Sequence, residues 1–537
     1  MKNFLLCIAL FSVFFCYSQE DAWVYFNDKL DAEFYFSNPL EMLSRKALDR
    51  REKQNIAIDD KDVPIATAYI NGIASSEGIT VMAKSKWLNA LHIRGSVDAI
   101  NLLTGLTFVN HIDFADKTLN ITNGRQDRVW QEKTNYKRLE TETVFNYGTS
   151  SNQIEMLNGH LLHQQNFTGK GMTIAVLDAG FPGVNTTTPF KRLRDNNLIK
   201  GGYDFVNRSE DFYAGGTHGT MVLSTIGGYV DGKLVGTAPD ASYYLFVTED
   251  PASENPVEES YWVEAAETAD SLGVDVINTS LGYFTYDNVR YSHTYEEMNG
   301  QTAFISRGAN VAYSKGILCV VSAGNSAATA NPYISAPADA FGALTIGSVD
   351  GNKNYSYFSS TGPSFDGRVK PDVMARGGLS TIATDDGEIG ANNGTSFSSP
   401  ITSGLVACLW QALPDKTNLE LMQLVRQSAD RYNAPTPQYG YGIPDFSLAL
   451  KNGWGADLTG SKFMVYPNPV NDKLYLLFPD KISTAKVFIL NTIGQKVMEI
   501  NIFANDGFLD LSGLSTGIYS YKIEALGVNQ KGRIIKN

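Results

Sequence analysis

Five nearly continuous apolar runs occupy the middle of the chain, and each is short enough to be one buried strand. They are MTIAVLD (172–178), SYYLFVT (242–248), VDVINTSLG (274–282), ILCVVSAGN (317–325) and ALTIGSV (343–349). Helical patterns lie between several of them, at 259–273 and from Ala303 to Lys315, and two further helices are predicted at 397–412 and about 415–430. Strands buried on both faces that alternate with helices indicate a parallel sheet with helices on both faces. We therefore predict an α/β domain over residues 147–451.

The regions on either side of this domain have a different pattern. Within residues 19–116, AWVYF (22–26) and ITVMA (79–83) are typical of strands and residues 39–54 of a helix, which predicts an α+β domain. Residues 117–146 are polar and irregular, as expected of a linker. After a Gly-rich spacer (452–462), residues 463–537 contain about seven short strands separated by turn signals, which indicates a small all-β sandwich.

The first 18 residues have the pattern of a signal peptide. Lys2 precedes an apolar run from Phe4 to Tyr17 that only Ser12 interrupts. This run is shorter than a membrane-spanning helix but suits a signal-peptide core, so we predict cleavage after Ser18 and no transmembrane helix in the mature protein. Lipid modification of Cys16 is the alternative, but the bulky residues before it disfavour that reading.

Composition narrows the classes of partner. The chain has 537 residues, a net charge of −13, 43% hydrophobic and 19% charged residues, and no long Lys/Arg cluster. These values describe a globular protein with an acidic surface, and they argue against nucleic acid as a partner. Loss of the signal peptide would leave only Cys319 and Cys408, which lie in apolar runs and are predicted to be buried free thiols.

Four polar residues lie at positions where catalytic groups are expected, at the ends of strands or at the starts of helices. Asp178 and Asn325 each end an apolar strand, and functional groups of such sheets gather beyond the carboxyl ends of the strands. His218 and Ser396 each lie where a Gly-rich loop becomes a helix, although the hydroxyl-rich stretch around Ser396 also suits a helix cap. Acyl transfer needs a nucleophile, a base, a carboxylate that orients the base, and oxyanion donors. Ser396, His218, Asp178 and Asn325 supply these groups in that order.

The motifs around these residues carry a family resemblance. AVLDAGF, GTHGT, SAGN and GTSFSSP occur in this order, and residues 147–451 resemble the catalytic domain of a subtilisin-like serine protease of the subtilase family. The resemblance implies a serine endopeptidase that hydrolyses protein and peptide substrates through an acyl-enzyme intermediate and needs no cofactor for this chemistry. It also implies that the substrate pocket lies between two segments, whose residues are Ser280, Leu281, Gly282, Ser322, Ala323 and Gly324.

Some positions depart from the family pattern. Ala179 stands where a hydroxyl residue is common, so one hydrogen bond to the Asp178 carboxylate is expected to be absent. The Tyr- and acid-rich insertion 283–301 contains Asp287, Glu296 and Glu297, which are able to bind Ca²⁺, but a solvated loop is the favoured interpretation. A structural Ca²⁺ is therefore possible, with its site unknown.

The flanking regions also resemble known modules. Residues 19–116 resemble a subtilase prosegment, which implies a unit that assists folding and blocks the groove until cleavage within 117–146. An independent binding domain is the alternative. Residues 463–537 resemble the C-terminal sorting domain of the Bacteroidetes type IX pathway, whereas fold analogy alone also allows a carbohydrate- or protein-binding sandwich. A sorting domain implies secretion and sorting machinery as a partner, and a protein that is secreted or attached to the outer surface.

Two other functions fit parts of the sequence. One is a catalytically inactive subtilase-fold surface adhesin, which the four intact site residues disfavour because a binding module does not need all of them. The other is a non-proteolytic acyl hydrolase, which the extended groove implied by the resemblance disfavours.

Overall fold

The computed structural model describes residues 19–120, 145–454 and 463–536, the last range with gaps at 467–469, 471, 479–481, 504–507 and 526–527. The predicted signal peptide and most of the two predicted linkers lie outside the described residues. Among the described helices, none combines the length and the hydrophobicity needed to cross a bilayer.

The N-terminal domain (residues 19–120) is a four-stranded antiparallel sheet with helices, as predicted. Its order is β2-β3-β1-β4. Alternation along β1 gives the sheet two apolar faces: Val24 packs inside the domain and Tyr25 packs in a core shared with the next domain. The elements are β1 (Gln19–Phe26), α1 (Ala32–Ser37), α2 (Arg45–Lys53), α3 (Thr67–Ala74), β2 (Ile79–Ser85), β3 (Ala90–Ser96), α4 (Val97–Leu102) and β4 (Val109–Phe114).

Seven parallel strands form the main sheet of the central domain (residues 145–454), in the order β13-β12-β11-β10-β5-β9-β6. The five predicted strands are present. Two further strands were not predicted from the sequence: β6, which contains two glycines, and the four-residue β13. The strands are β5 (Thr173–Asp178), β6 (Ile199–Asp204), β7 (Tyr229–Val230), β8 (Leu234–Val235), β9 (Ser242–Val247), β10 (Val276–Thr279), β11 (Leu318–Ser322), β12 (Ala343–Val349), β13 (Val373–Arg376), β14 (Ser380–Ala383) and β15 (Ile389–Asn392).

Helices cover both faces of this sheet. Val176 on one face packs in a core with α8 and α11, and Leu177 on the other face packs in a core with α9 and α10. This alternation confirms the predicted layers. The helices are α5 (Ser151–Glu155), α6 (His160–His163), α7 (Lys191–Asp195), α8 (His218–Gly227), α9 (Val257–Leu272), α10 (Phe304–Ser314), α11 (Thr395–Ala412), α12 (Asn418–Gln427) and α13 (Phe446–Gly453).

The C-terminal domain is all-β, as predicted. A three-stranded sheet (β16-β17-β20) and a four-stranded sheet (β19-β18-β21-β22) share one hydrophobic core, which contains Leu474, Val487 and Ile523. The strands are β16 (Met464–Tyr466), β17 (Lys473–Leu477), β18 (Thr484–Leu490), β19 (Lys496–Phe503), β20 (Phe508–Asp510), β21 (Gly517–Ala525) and β22 (Val528–Lys536).

Both cysteines of the central domain are buried free thiols, which confirms the prediction for Cys319 and Cys408. Burial raises the pKa of Cys319 to about 12 and the pKa of Cys408 well above its ordinary value. These thiols therefore serve the core as small apolar side chains.

Candidate active site

The carboxyl ends of three neighbouring strands meet at one edge of the sheet. β5 ends at Asp178, β10 is followed by Ser280, and β11 leads into Asn325. Helix α8 begins at His218 beside this edge, where a Cβ atom on Gly219 would lie 2.9 Å from the Asp178 Cβ. The sheet thus brings together side chains that are far apart in the sequence.

Asp178 and His218 form a hydrogen-bonded pair. His218 Nδ1 lies 2.7 Å from Asp178 Oδ1, which also accepts from the backbone N–H of Ala179 at 2.8 Å. Because a carboxylate only accepts, Nδ1 carries the proton and Nε2 is the basic nitrogen. Asp178 Oδ2 is buried and has no hydrogen-bond partner among the described residues, in agreement with the missing hydroxyl at Ala179.

The Asp178–His218 pair also determines how readily the imidazole takes up a proton. The negative charge of Asp178 raises the pKa of His218 above its ordinary value, and the hydrogen bond to Asp178 adds to this effect. Partial burial acts in the opposite direction and is outweighed. Asp178 itself is fully buried, whereas the His218 side chain keeps 34% of its surface exposed. The buried carboxylate therefore holds a basic imidazole that solvent and a substrate can reach.

Ser396 lies in the first turn of α11, which begins two residues earlier than predicted. Its hydroxyl donates to the backbone carbonyl of Ser280 at 3.2 Å, and the Ser280 hydroxyl donates back to the Ser396 carbonyl at 2.9 Å. Within the described part of the chain, no hydrogen bond joins Ser396 to His218. The next residue, Phe397, has its ring centroid 6.1 Å from that of the imidazole, so the helix start and His218 are neighbours.

The side-chain amide of Asn325 is oriented by Thr395. Asn325 Oδ1 accepts from both the backbone N–H and the hydroxyl of Thr395, each at 2.9 Å. A Cβ atom on Gly394 would lie 3.7 Å from Asn325 Nδ2 and 3.6 Å from the backbone nitrogen of Ser396. The Asn325 side-chain NH₂ group and the Ser396 backbone N–H, which are both hydrogen-bond donors, therefore border the same small space. Thr395 belongs to the hydroxyl-rich stretch around Ser396, but nothing in the sequence assigned it this orienting role except its position directly before Ser396.

The two predicted pocket segments lie side by side. The Ser322 hydroxyl donates to the Leu281 carbonyl at 3.4 Å. A Cβ atom on Gly282 would collide with the Ser335 hydroxyl, and one on Gly324 would lie 3.3 Å from it. Ser335 therefore borders both segments, although nothing in the sequence indicated it. The six residues predicted to line the substrate pocket differ in burial. Ser280, Ser322 and Ala323 are buried, Leu281 and Gly324 are half-buried, and Gly282 is exposed.

The insertion 283–301 is not the solvated loop that the sequence favoured. Tyr286, Tyr291 and Met298 are buried, and the insertion packs against the N-terminal domain. Glu297 binds Lys117 Nζ at 2.5 Å and His293 Nδ1 at 3.0 Å, and His293 is a residue that the sequence analysis overlooked.

The carboxylates of this insertion do not form a calcium site. Asp287 accepts from the backbone N–H of Glu254 at 3.1 Å. Glu297 already pairs with Lys117 and with His293, whose pKa is lowered by burial but raised more strongly by Glu259 and Glu297, to about 9, so that the imidazole is a cation near neutral pH. The described residues contain no group of three or more His, Cys, Asp or Glu side chains placed to hold a metal ion. Asp287, Glu296 and Glu297 thus do not fit Ca²⁺, and the structure assigns it to no other residues.

Comparison with known proteins identifies the family. The pattern described as the Subtilase family matches residues 169–442, about half of the chain. The chain belongs to the subtilase family. Residues 21–133 match the peptidase S8 propeptide domain of Bacteroidota, and residues 464–537 match a secretion system C-terminal sorting domain.

Three curated relatives show how far the similarity extends. Subtilisin E of Bacillus subtilis (strain 168) is 29% identical over 301 residues, which cover 56% of this chain and 70% of the relative. Subtilisin Savinase of Lederbergia lenta is 29% identical over 291 residues, covering 54% of this chain and 94% of the relative. Serine protease AprX of Bacillus subtilis (strain 168) is 29% identical over 308 residues, covering 52% and 66%.

These matches establish the class of the protein. It is a serine endopeptidase with an N-terminal prosegment, and its C-terminal sorting domain marks it for secretion or attachment at the outer surface. The predicted family, fold and location are thereby confirmed.

Proposed function

We propose that this subtilase cleaves peptide bonds through an acyl-enzyme intermediate formed on Ser396. His218 Nε2 takes the proton of the Ser396 hydroxyl and later returns it to the leaving amine, while Asp178 holds the imidazole in the required tautomer. The observation that carries this proposal is the 2.7 Å bond between His218 Nδ1 and buried Asp178, beside the helix that begins with Thr395 and Ser396.

The first step requires a small movement of the nucleophile. The Ser396 hydroxyl must leave the Ser280 carbonyl and donate to His218 Nε2. Catalytic hydrogen bonds are often loose in enzymes without substrate and tighten when substrate binds. The bond to Ser280 thus describes the nucleophile before substrate arrives.

We assign the oxyanion donors to Asn325 Nδ2 and the backbone N–H of Ser396. Thr395 occupies the amide oxygen of Asn325, which leaves the NH₂ group as the end of the side chain that can meet a developing negative charge. Each such donor is worth about 3–4 kcal/mol of transition-state stabilisation because it is already oriented before the reaction.

Substrates are proposed to bind as extended peptides between residues 280–282 and 322–324. Backbone groups at the ends of β10 and β11 would pair with the peptide by strand addition. Peptides shortened on the amino side of the scissile bond should then lose turnover. Equal rates for short and long peptides would argue against an extended groove.

Reaction with a fluorophosphonate probe tests the nucleophile. The wild-type enzyme should be labelled and Ser396→Ala should not, whereas Ser398→Ala should be labelled normally because the Ser398 hydroxyl only bonds back to the Thr395 carbonyl within the helix. Absence of labelling in the wild type would favour the adhesin. Turnover of a small ester without cleavage of casein would favour the acyl hydrolase.

The maturation steps are proposed from the domain boundaries. Residues 1–18 would be removed on export, the prosegment 19–116 would be cut from the catalytic domain 147–451 within 117–146, and the sorting domain 463–537 would be removed after the spacer 452–462. Mass spectrometry of the protein recovered from the medium gives these ends directly. A secreted enzyme that keeps residues 19–116 bound and is fully active would contradict an inhibitory prosegment.

A further inference from the structure

One part of the prosegment contacts the catalytic domain far from Ser396. We call residues 39–63, which contain α2, the α2 segment. Lys46 Nζ donates to the hydroxyl of Thr173, the first residue of β5, at 2.5 Å. Arg50 donates to the carbonyl of Val274, just before β10. Gln54 Nε2 donates at 2.8 Å to the carbonyl of Gly316, just before β11. The α2 segment therefore binds the amino ends of three adjacent strands.

This footprint is separated from the groove by the length of the strands. Asp178 lies at the carboxyl end of β5 and Thr173 at its amino end. Six residues at about 3.3 Å each place the two ends about 17–20 Å apart. Contacts at the amino ends therefore neither block nor depend on a peptide bound beside Ser396.

Buried ion pairs dominate the footprint. Arg51 binds Asp62 and Asp270, and Lys315 binds Asp62, with each of these four side chains no more than 2% exposed. Lys46–Asp275, Arg50–Asp270 and Lys315–Asp59 complete a set of four cations and four carboxylates that spans both domains. Opposite charges thus face each other across the contact, which makes it specific to this pair of surfaces, whereas separation of the domains would return the charges to water.

The α2 segment is also distinct from the sheet of the prosegment. Met42, Leu43, Ala47 and Val63 form their own small cluster, apart from the core beneath β1 and β3. The sheet contacts α9 one turn away from Asp270, where Glu267 accepts from the Ser85 hydroxyl at 2.7 Å and from the Trp87 N–H at 2.9 Å. Helix α1, between β1 and the α2 segment, has no buried residue. The prosegment thus contacts α9 at two neighbouring points, with its sheet at Glu267 and with the α2 segment at Asp270, and the α2 segment continues from there to the amino ends of the strands.

We propose that the α2 segment is a second docking module, which keeps the prosegment bound after the chain has been cut within 117–146. This inference rests on the proposed prosegment function and adds that contacts at the amino ends of the strands, away from the groove, slow the release of the cut prosegment. The surface formed by Asp270, Asp275, Lys315 and Gly316 on the catalytic domain is the site that receives the module.

The test uses the full chain carrying Ser396→Ala, with a recognition sequence for a site-specific protease placed between residues 121 and 144. After this site has been cut, the rate at which the prosegment dissociates is followed by gel filtration of diluted samples. The parent should remain associated, since the α2 segment still holds it. Gln54→Ala removes hydrogen bonds to Gly316 and to the backbone N–H of Asn418, so dissociation should become about tenfold faster or more.

Two further variants make the result specific. Lys46→Ala alters a side chain that is 42% exposed, so it tests the footprint even if Gln54→Ala fails to fold, and it should also speed dissociation. Lys53→Ala, an exposed neighbour on α2, is the matched control and should dissociate like the parent. The proposal is overturned if the cut parent releases its prosegment at once, or if Lys46→Ala and Gln54→Ala dissociate at the control rate. Because every protein in this assay carries Ser396→Ala, its outcome is independent of the fluorophosphonate test of the nucleophile.

Discussion

Thr395→Val examines how the oxyanion donor is oriented. The substitution keeps the size of a fully buried side chain and removes the hydroxyl that donates to Asn325 Oδ1 at 2.9 Å. The backbone N–H of Thr395 still donates to the same oxygen at 2.9 Å, so the amide keeps one of its two restraints. We therefore expect turnover to fall, but by less than it falls when the amide itself is removed.

The size of the effect follows from the bond that is lost. A neutral hydrogen bond contributes about 0.5–1.5 kcal/mol net, which corresponds to a loss in kcat of about two- to twelvefold. Complete loss of one oxyanion donor costs about 10²–10³ in kcat. The Gly324 N–H, which donates to the Thr395 hydroxyl at 3.2 Å, also loses its acceptor, so the melting temperature should fall slightly.

The assay is a double-mutant cycle with Asn325→Ala. Values of kcat and KM for Thr395→Val, Asn325→Ala and the double variant are measured on active-site-titrated enzyme, well below the melting temperature. If Thr395 acts through the amide, adding Thr395→Val to Asn325→Ala should cost almost nothing. If Thr395→Val lowers kcat by the same factor in the wild type and in Asn325→Ala, the reasoning is refuted. Thr402→Val is the control, since that buried hydroxyl bonds only to the Ser398 carbonyl, two turns into the same helix.

Four further predictions concern the site and the domains. Asn325→Ala should lower kcat by about 10²–10³ with little change in KM, measured by steady-state cleavage of a long peptide, and undiminished turnover would exclude the oxyanion role. Because Asp178 raises the pKa of His218 and the neutral imidazole is the base, the acid limb of the pH profile of kcat/KM should lie above pH 6.5. Asp178→Asn should move this limb to lower pH and reduce kcat by about 10⁴; an unmoved limb would show that another group titrates. Deletion of 463–537 should retain the protein in the periplasm, as judged by fractionation and immunoblot, whereas deletion of the exposed loop residues 492–494 should not; normal export of the truncated chain would contradict a sorting role.

The pattern of apolar and polar residues predicted individual strands well where burial alone defines the strand. Runs such as ALTIGSV marked β12 with the bounds that the structure has, because a strand buried on both faces must be apolar throughout. β6 is mostly half-exposed and contains two glycines, and β13 is a short run between a Pro-Asp pair and two glycines, so both gave too weak a signal to be recognised. The insertion 283–301 was misread for a related reason, since its tyrosines are covered by distant parts of the chain: Tyr291 bonds to Glu20 of the N-terminal domain and Tyr286 bonds to Glu259 on α9.

The sequence by itself determined the layered α/β domain, its two flanking domains, and the identities of Asp178, His218, Asn325 and Ser396 as the candidate reactive groups. Only the tertiary structure decided which atom of each group faces which partner. Examples are the hydrogen bond from Thr395 to the Asn325 amide oxygen and the hydrogen bond from Ser396 to the Ser280 carbonyl. The tertiary structure also decided that α2 lies at the far end of the sheet. The physical reason is that these contacts join residues 70, 116 and 224 positions apart. Periodicity reports which face of an element is buried, but it carries no information about the distant element that buries it.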